Sequence, residues 1–151
     1  SKRNEYGSKI SSGIKDLKGI YPPAILDGVK SSYWFYMFRI NEKEAKVSRD
    51  QFSKALAAEG IPNLPGYIPV CVYEYDLFIN KNAFPGSDLP FSIGHDPEKV
   101  KYYKGMCPIA EEILNTSIRI GISEFYTAQD IEDIIEAIRK VAQYYQTELQ
   151  N

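Results

Sequence analysis

"SIRIGISEFYTAQDIEDIIEAIRKV", Ser117 to Val141, runs a strand, a turn and a capped helix together without a break. Ile118, Ile120 and Ile122 alternate with smaller or polar residues, which predicts a short strand over Ser117–Ser123. Thr127 is placed as an N-cap, Asp130 takes the third helical position, and Tyr126 and Ile131 are spaced as a hydrophobic staple. Beyond them Ile131, Ile134, Ile135, Ile138, Val141, Ala142 and Tyr145 make one helical stripe. A strand with one apolar face beside a helix with one apolar stripe predicts an α+β fold, a small mostly antiparallel sheet with helices packed on it.

Working back from Ser117, Cys107 before Pro108 and Asp96 before Pro97 each place an N-cap ahead of a proline at the first helical position. Two short helices are expected, the first ended by Gly105. Ile61 to Asp96 holds five of the nine prolines (Pro62, Pro65, Pro69, Pro85 and Pro90). One short extended piece near Tyr67–Tyr73 and then a long irregular loop are expected there. Loops of that length in compact domains are usually functional or tethered to another surface. Ser48 to Ala58 carries full helix signals: Ser48 as N-cap with Gln51 three residues on, Val47 and Phe52 as a staple, and Gly60 and Pro62 as a stop.

"SYWFYMFRI", Ser32 to Ile40, predicts a strand with Tyr33, Phe35, Met37 and Arg39 on one face and Trp34, Tyr36, Phe38 and Ile40 on the other. Both faces are largely apolar, so both need cover. At the start of the chain, Tyr6, Ile10, Ile14 and Leu17 form a helical stripe, and residues 1–20 read as a linking helix stopped by Gly19, Pro22 and Pro23. Gly7 and Gly13 each weaken such a helix by about 1 kcal/mol. No repeat or low-complexity segment interrupts the chain, and residues 1–151 read as a single domain.

The composition, 44% hydrophobic and 25% charged, is that of an ordinary soluble globular domain. With 18 basic and 20 acidic residues the net charge is -2, which argues against nucleic acid or an anionic membrane as partner. No apolar run spans a membrane and no signal peptide opens the chain, so a cytoplasmic location is expected. The start at Ser1 rather than Met points to a processed or truncated chain. Cys71 and Cys107 are the only cysteines and His95 the only histidine, which leaves no disulfide framework and no zinc site of standard spacing. A Cys71–Cys107 bridge stays open.

Few residues point to chemistry. Ser12 to Lys15 spells Ser-x-x-Lys, but the motifs that accompany it in acylating enzymes are absent. There is no phosphate-cradling glycine loop and no nucleophile elbow. Glu111, Glu112, Asp130, Glu132 and Asp133 fall near helix N-termini, where carboxylates stabilise the helix dipole, and read as solvated faces. His95 reads as an idle loop histidine. Tyr67, between Gly66 and Pro69, is set with its hydroxyl outward, and ligand contact, surface display and core packing all remain open. Arg119 projects opposite Ile118 and Ile120. It either lies on an exposed face in an ion pair with a nearby acid or aims its guanidinium at a carboxylate or phosphate.

Taken in order, "YWFYMFRI", "SRDQFSKALAAEGIP", "GYIP", "CPIAEEIL" and "SIRIGISEFYTAQDIEDIIEAIRKV" resemble the C-terminal small domain of the DegT/StrS-type sugar aminotransferases, pyridoxal-phosphate enzymes of the aspartate-aminotransferase fold. The resemblance runs from Tyr33 to Tyr145 and covers only the last part of a family member. It implies a parent enzyme that moves an amino group from glutamate or glutamine to a keto sugar or cyclitol. It also implies a large domain of the same chain that holds pyridoxal phosphate, and a homodimeric parent. No catalytic, cofactor-binding or metal-binding residue is expected in this part, which would be inactive alone. Tyr67 and Arg119 are the candidate substrate contacts. Many members carry a histidine where Gly66 stands, which argues against a typical nucleotide-linked sugar and leaves a cyclitol or related keto substrate open. The competing reading is a stand-alone α+β module that binds a protein or small ligand through its aromatic face.

Overall fold

The computed structural model describes residues 1–94 and 99–147. Two compact units emerge: Ser1–Tyr67 together with the chain from Asn115 onward, and Ile68–Leu114.

The first unit is a four-stranded antiparallel sheet with helices on one face. Its elements are α1 (Lys2–Ile14), β1 (Ile20–Tyr21), β2 (Phe35–Ile40), α2 (Glu42–Ala45), α3 (Arg49–Ala58), β3 (Asn63–Pro65), β4 (Ser117–Gly121) and α6 (Ala128–Thr147). The strand order is β1-β2-β4-β3. Phe38 lies opposite Ile118, and Arg119 lies between Met37 on one side and Leu64 on the other. Alternation then sends Tyr36, Phe38, Ile40, Ile118 and Ile120 into one core with Ile10, Ile14, Phe52, Leu56, Ile131 and Ile138. The α+β expectation holds.

The caps that the sequence shows are formed. Ser48 and Gln51 make a reciprocal capping box, and Thr127 Oγ1 accepts from the Asp130 N–H while Asp130 accepts from the Thr127 N–H. The Asp130 carboxyl is held below its ordinary value first by that backbone N–H and then by the Thr127 hydroxyl. Arg139 of α6 grips Asp16 with two bonds of 2.7 and 2.9 Å and donates to the Gly13 carbonyl, tying the end of α1 to α6. The guanidinium depresses the Asp16 pKa.

The two helical glycines prove to be packing residues. A Cβ on Gly7 would lie 2.5 Å from the Tyr33 ring, and one on Gly13 would lie 2.7 Å from Ile135. The propensity lost at each is exchanged for close approach.

Several expectations need correction. The strand expected from Ser32 begins only at Phe35, because Tyr33 adopts φ +42 and turns its ring into the core against α1. From Phe35 to Ile40 the expected alternation holds, and only Tyr33 and Trp34 depart from it: Trp34, expected on the face of Tyr36, Phe38 and Ile40, is 62% exposed. The Ser117–Ser123 strand ends at Gly121. The first helix ends at Ile14, and Ile20 and Tyr21 already pair with β2. The short elements β1 and α2 carry too little periodicity to be seen in the sequence.

The extended piece expected near Tyr67–Tyr73 is instead β3, at Asn63–Pro65. An edge position tolerates Pro65, and the left-handed φ of Gly66 (+70) ends the strand. Val72–Glu74 forms a 3-10 turn rather than a strand.

The second unit contains that turn, α4 (Asp76–Ile79) and most of α5 (Pro108–Thr116), which continues into the first unit. The Pro108 helix is therefore as expected. The helix expected from Asp96 to Gly105 is not present over residues 99–104, and its start, with His95, lies outside the described residues. Phe78, Phe91 and Tyr102 form an edge-to-face trio with centroids 5.3 to 6.1 Å apart. Cys71 is buried, Cys107 is exposed, and both are free thiols, so the bridge left open is not formed.

Candidate functional site

On the Phe35 and Arg119 side of the sheet, and reaching the end of α3, a groove of about 570 Å³ is lined by Trp34, Phe35, Ala57, Pro62, Asn63, Leu64, Arg119 and Gly121. Local chemistry builds each wall. The positive φ of Tyr33 throws Trp34 outward, where it tilts against Phe35 with ring centroids 4.9 Å apart. Asn63 is locked by its amide, which donates to the Ser53 and Ile61 carbonyls, and by the Ser53 hydroxyl, which donates to its side-chain oxygen. That anchors β3 and presents Leu64, 53% exposed, at the groove.

Tyr67 stands beside this groove. Gly66 N–H donates to the Ser117 carbonyl at 2.7 Å, and the left-handed turn there swings Tyr67 back over the sheet. Its ring stacks on Phe35 at 5.4 Å and 29°.

Arg119 projects from β4 into the same cluster. Its guanidinium carbon lies 5.6 Å from the Phe35 centroid and 5.5 Å from the Tyr67 centroid. Both distances are within cation–π range, worth about 0.5–1 kcal/mol per contact at an exposed site. The expected alternative, an ion pair with a neighbouring acid, is not formed among the described residues. The physical reason is the flanking register: Arg119 is set between Met37 and Leu64, and among the described residues no carboxylate lines the groove. The two residues singled out in the sequence, Tyr67 and Arg119, are therefore brought together. Trp34 and Leu64 were missed as groove residues. The signals that could have found them are a tryptophan at the start of an otherwise buried strand and a proline-flanked Asn-Leu.

In the second unit, Glu111 accepts from the Tyr73 hydroxyl at 2.5 Å and from the Gly105 N–H at 2.6 Å, while the Cys107 N–H donates to the Tyr73 oxygen. The Tyr73 hydroxyl, with the Gly105 N–H after it, holds the Glu111 carboxyl below its ordinary value. Desolvation first, and the Glu111 bond second, push the Tyr73 phenol up. Glu111 was read as a solvated helix-start acid; it is the tie that fixes the start of α5.

The comparisons with known proteins fit this architecture. No family model matches the chain. Over 141 residues it is 21% identical to the spore coat polysaccharide biosynthesis protein SpsC of Bacillus subtilis (strain 168), which accounts for 93% of this chain and 31% of that protein. S. venezuelae DesV, solved in complex with a ketimine intermediate, superposes with a TM-score of 0.71 at 19% identity, over 94% of this chain and 31% of that one. The chain shares its fold with that part of DesV. A DegT DnrJ EryC1 StrS aminotransferase from Brucella abortus gives 0.60 at 18% identity, over 92% and 30% of the two chains. This chain thus resembles the DegT/StrS-type enzymes and spans just under a third of the length of the relatives it matches.

Pyridoxal phosphate requires a lysine to form an imine, an acid against the ring nitrogen and a phosphate cradle. Among the described residues no lysine lines the groove, and its cation is an arginine, which stays protonated. The groove does not fit the cofactor, so no step through it is derived from these residues.

Proposed function

We propose that residues 1–151 are the small domain of a longer pyridoxal-phosphate-dependent aminotransferase, with the segment 1–20 linking it to the large domain. The parent enzyme transfers an amino group from glutamate or glutamine to a keto sugar or cyclitol, works as a homodimer and is cytoplasmic. The large domain supplies the lysine and the cofactor site, and the small domain contributes Tyr67 and Arg119 to substrate binding. The observation that carries this reading is the coverage: over nine-tenths of this chain matches a sugar aminotransferase, yet only 31% of DesV is matched in return.

The test is to express the 151-residue chain and the longer reading frame side by side and supply pyridoxal phosphate, glutamate or glutamine, and a panel of keto sugars and cyclitols. The longer protein is expected to retain the cofactor through gel filtration and to form amino product. The 151-residue chain is expected to do neither. Turnover by the short chain alone overturns the proposal, as does a longer protein that transfers no amino group to any member of the panel.

A further inference from the structure

Among the described residues, Arg119 has two aromatic braces and no anionic partner. Phe35 and Tyr67 stack on each other and the guanidinium carbon sits about equally far from both centroids, 5.6 and 5.5 Å, beside the pair rather than between its rings. A planar guanidinium held this way can present an N–H edge to an oxyanion in its plane. The bracing also restricts the side chain before any ligand arrives, which lowers the entropy that binding must overcome. Around that cation the groove is apolar: Trp34 and Leu64 lie open beside it, and among the described residues no acid lines it to compete for the guanidinium. The volume of about 570 Å³ lies in the range of small-molecule sites.

We propose that this groove binds a ring-bearing oxyanion, with the phosphate or carboxylate on Arg119 and the ring against Trp34 and Leu64. This deepens the proposed reading that Tyr67 and Arg119 meet substrate, by giving that substrate a negative charge attached to its ring. Asn63, being locked to Ser53 and Ile61, shapes the groove without being spent on the ligand.

Trp34 is the only tryptophan, so the groove contains its own fluorescent reporter. The 151-residue chain is titrated at constant ionic strength with phenyl phosphate and with glucose 1-phosphate, and in parallel with inorganic phosphate and benzyl alcohol. A saturable change in Trp34 emission is expected with a ring-bearing phosphate, and the tighter of the two identifies the kind of ring. Inorganic phosphate and benzyl alcohol, each with half of the recognition, are expected to bind far more weakly. Arg119→Gln is expected to weaken binding about tenfold to a hundredfold, the loss of charge-assisted hydrogen bonds. Arg119→Lys, which keeps the charge without the planar edge, recovers only part of it. Circular dichroism confirms that the variants are folded.

The proposal is overturned if neither ring-bearing phosphate saturates, if benzyl alcohol binds equally well, or if Arg119→Gln binds as the parent sequence does. None of these readouts involves amino transfer. A longer protein that transaminates while this groove binds nothing removes the inference and leaves the proposed function standing. Arg119-dependent binding in a protein without transaminase activity does the reverse.

Discussion

Both compact units are rich in aromatic residues, yet they place them differently. In the sheet unit Tyr6, Tyr33, Tyr36, Phe38 and Phe52 are buried in one core. In Ile68–Leu114, Cys71 is the only described residue that is buried, and Val72, Ile79, Phe84, Ile93, Tyr103 and Ile109 are exposed. The second unit is held by polar ties, Tyr73 to Glu111 to Gly105, and by one ring trio. Aromatic content alone therefore does not make a core. A core needs strands and helices long enough to put successive side chains on one face.

The comparison breaks first, if it breaks at all, on ring truncation. Phe38 and Phe52 meet edge to face at 6.0 Å with both side chains fully buried. Phe38→Ala or Phe52→Ala is expected to lower stability by about 3–5 kcal/mol in urea denaturation. Phe78→Ala in the second unit is expected to cost less than about 1 kcal/mol in the same transition, as for partly exposed sites. Equal losses would mean that the second unit has a core of its own.

A finer test lies in the two helical glycines. Gly7→Ala drives a methyl into the root of the Tyr33 ring and is expected to cost about 1–3 kcal/mol in the same assay. Gly13→Ala meets Cγ2, Cδ1 and Cγ1 of Ile135 at 2.7, 2.9 and 3.1 Å, longer contacts than those at Gly7, and since both substitutions regain about 1 kcal/mol of helix propensity its net cost is expected to be the smaller. If Gly13→Ala proves the worse, the close approach of α1 to Tyr33 is not what selects glycine. Removing the cap on the last helix with Thr127→Ala is expected to lower stability by about 1 kcal/mol, measured by thermal melting.

The smallest expected effect concerns Glu111. Its folded pKa is depressed below the ordinary 4.5, so the stabilisation it gives is present above that value and lost as pH falls through the lowered one. The Gly105 amide proton, followed by NMR, is expected to titrate with a midpoint below 4.5, and Glu111→Ala is expected to abolish that titration while leaving the global melting point unchanged. A midpoint at or above 4.5 would show that the tie is not held in solution.

Much of the sheet unit was legible in the residues. Ser48 with Gln51 and Thr127 with Asp130 show where two helices start because capping is a local exchange between neighbours. The stripes of α1 and α6 are likewise local. The register of β3 was not legible, since Asn63–Pro65 looks like turn sequence and becomes a strand only through its pairing with β4. Of the candidate site, Tyr67 and Arg119 could be named one at a time. That Tyr67 stacks on Phe35 with Arg119 beside both rings, and that Arg119 meets no acid among the described residues, depends on three segments distant in sequence.

The sequence by itself determined the α+β class, the helix starts and the apolar faces, because caps, periodicity and proline or glycine stops act over a few residues. Only the tertiary structure decided that Tyr33 turns inward over Gly7, that Trp34 consequently turns outward, and that Arg119 is braced by rings instead of paired with a carboxylate. Those outcomes are set by steric fit and strand register between segments up to about a hundred residues apart, which local patterning does not encode.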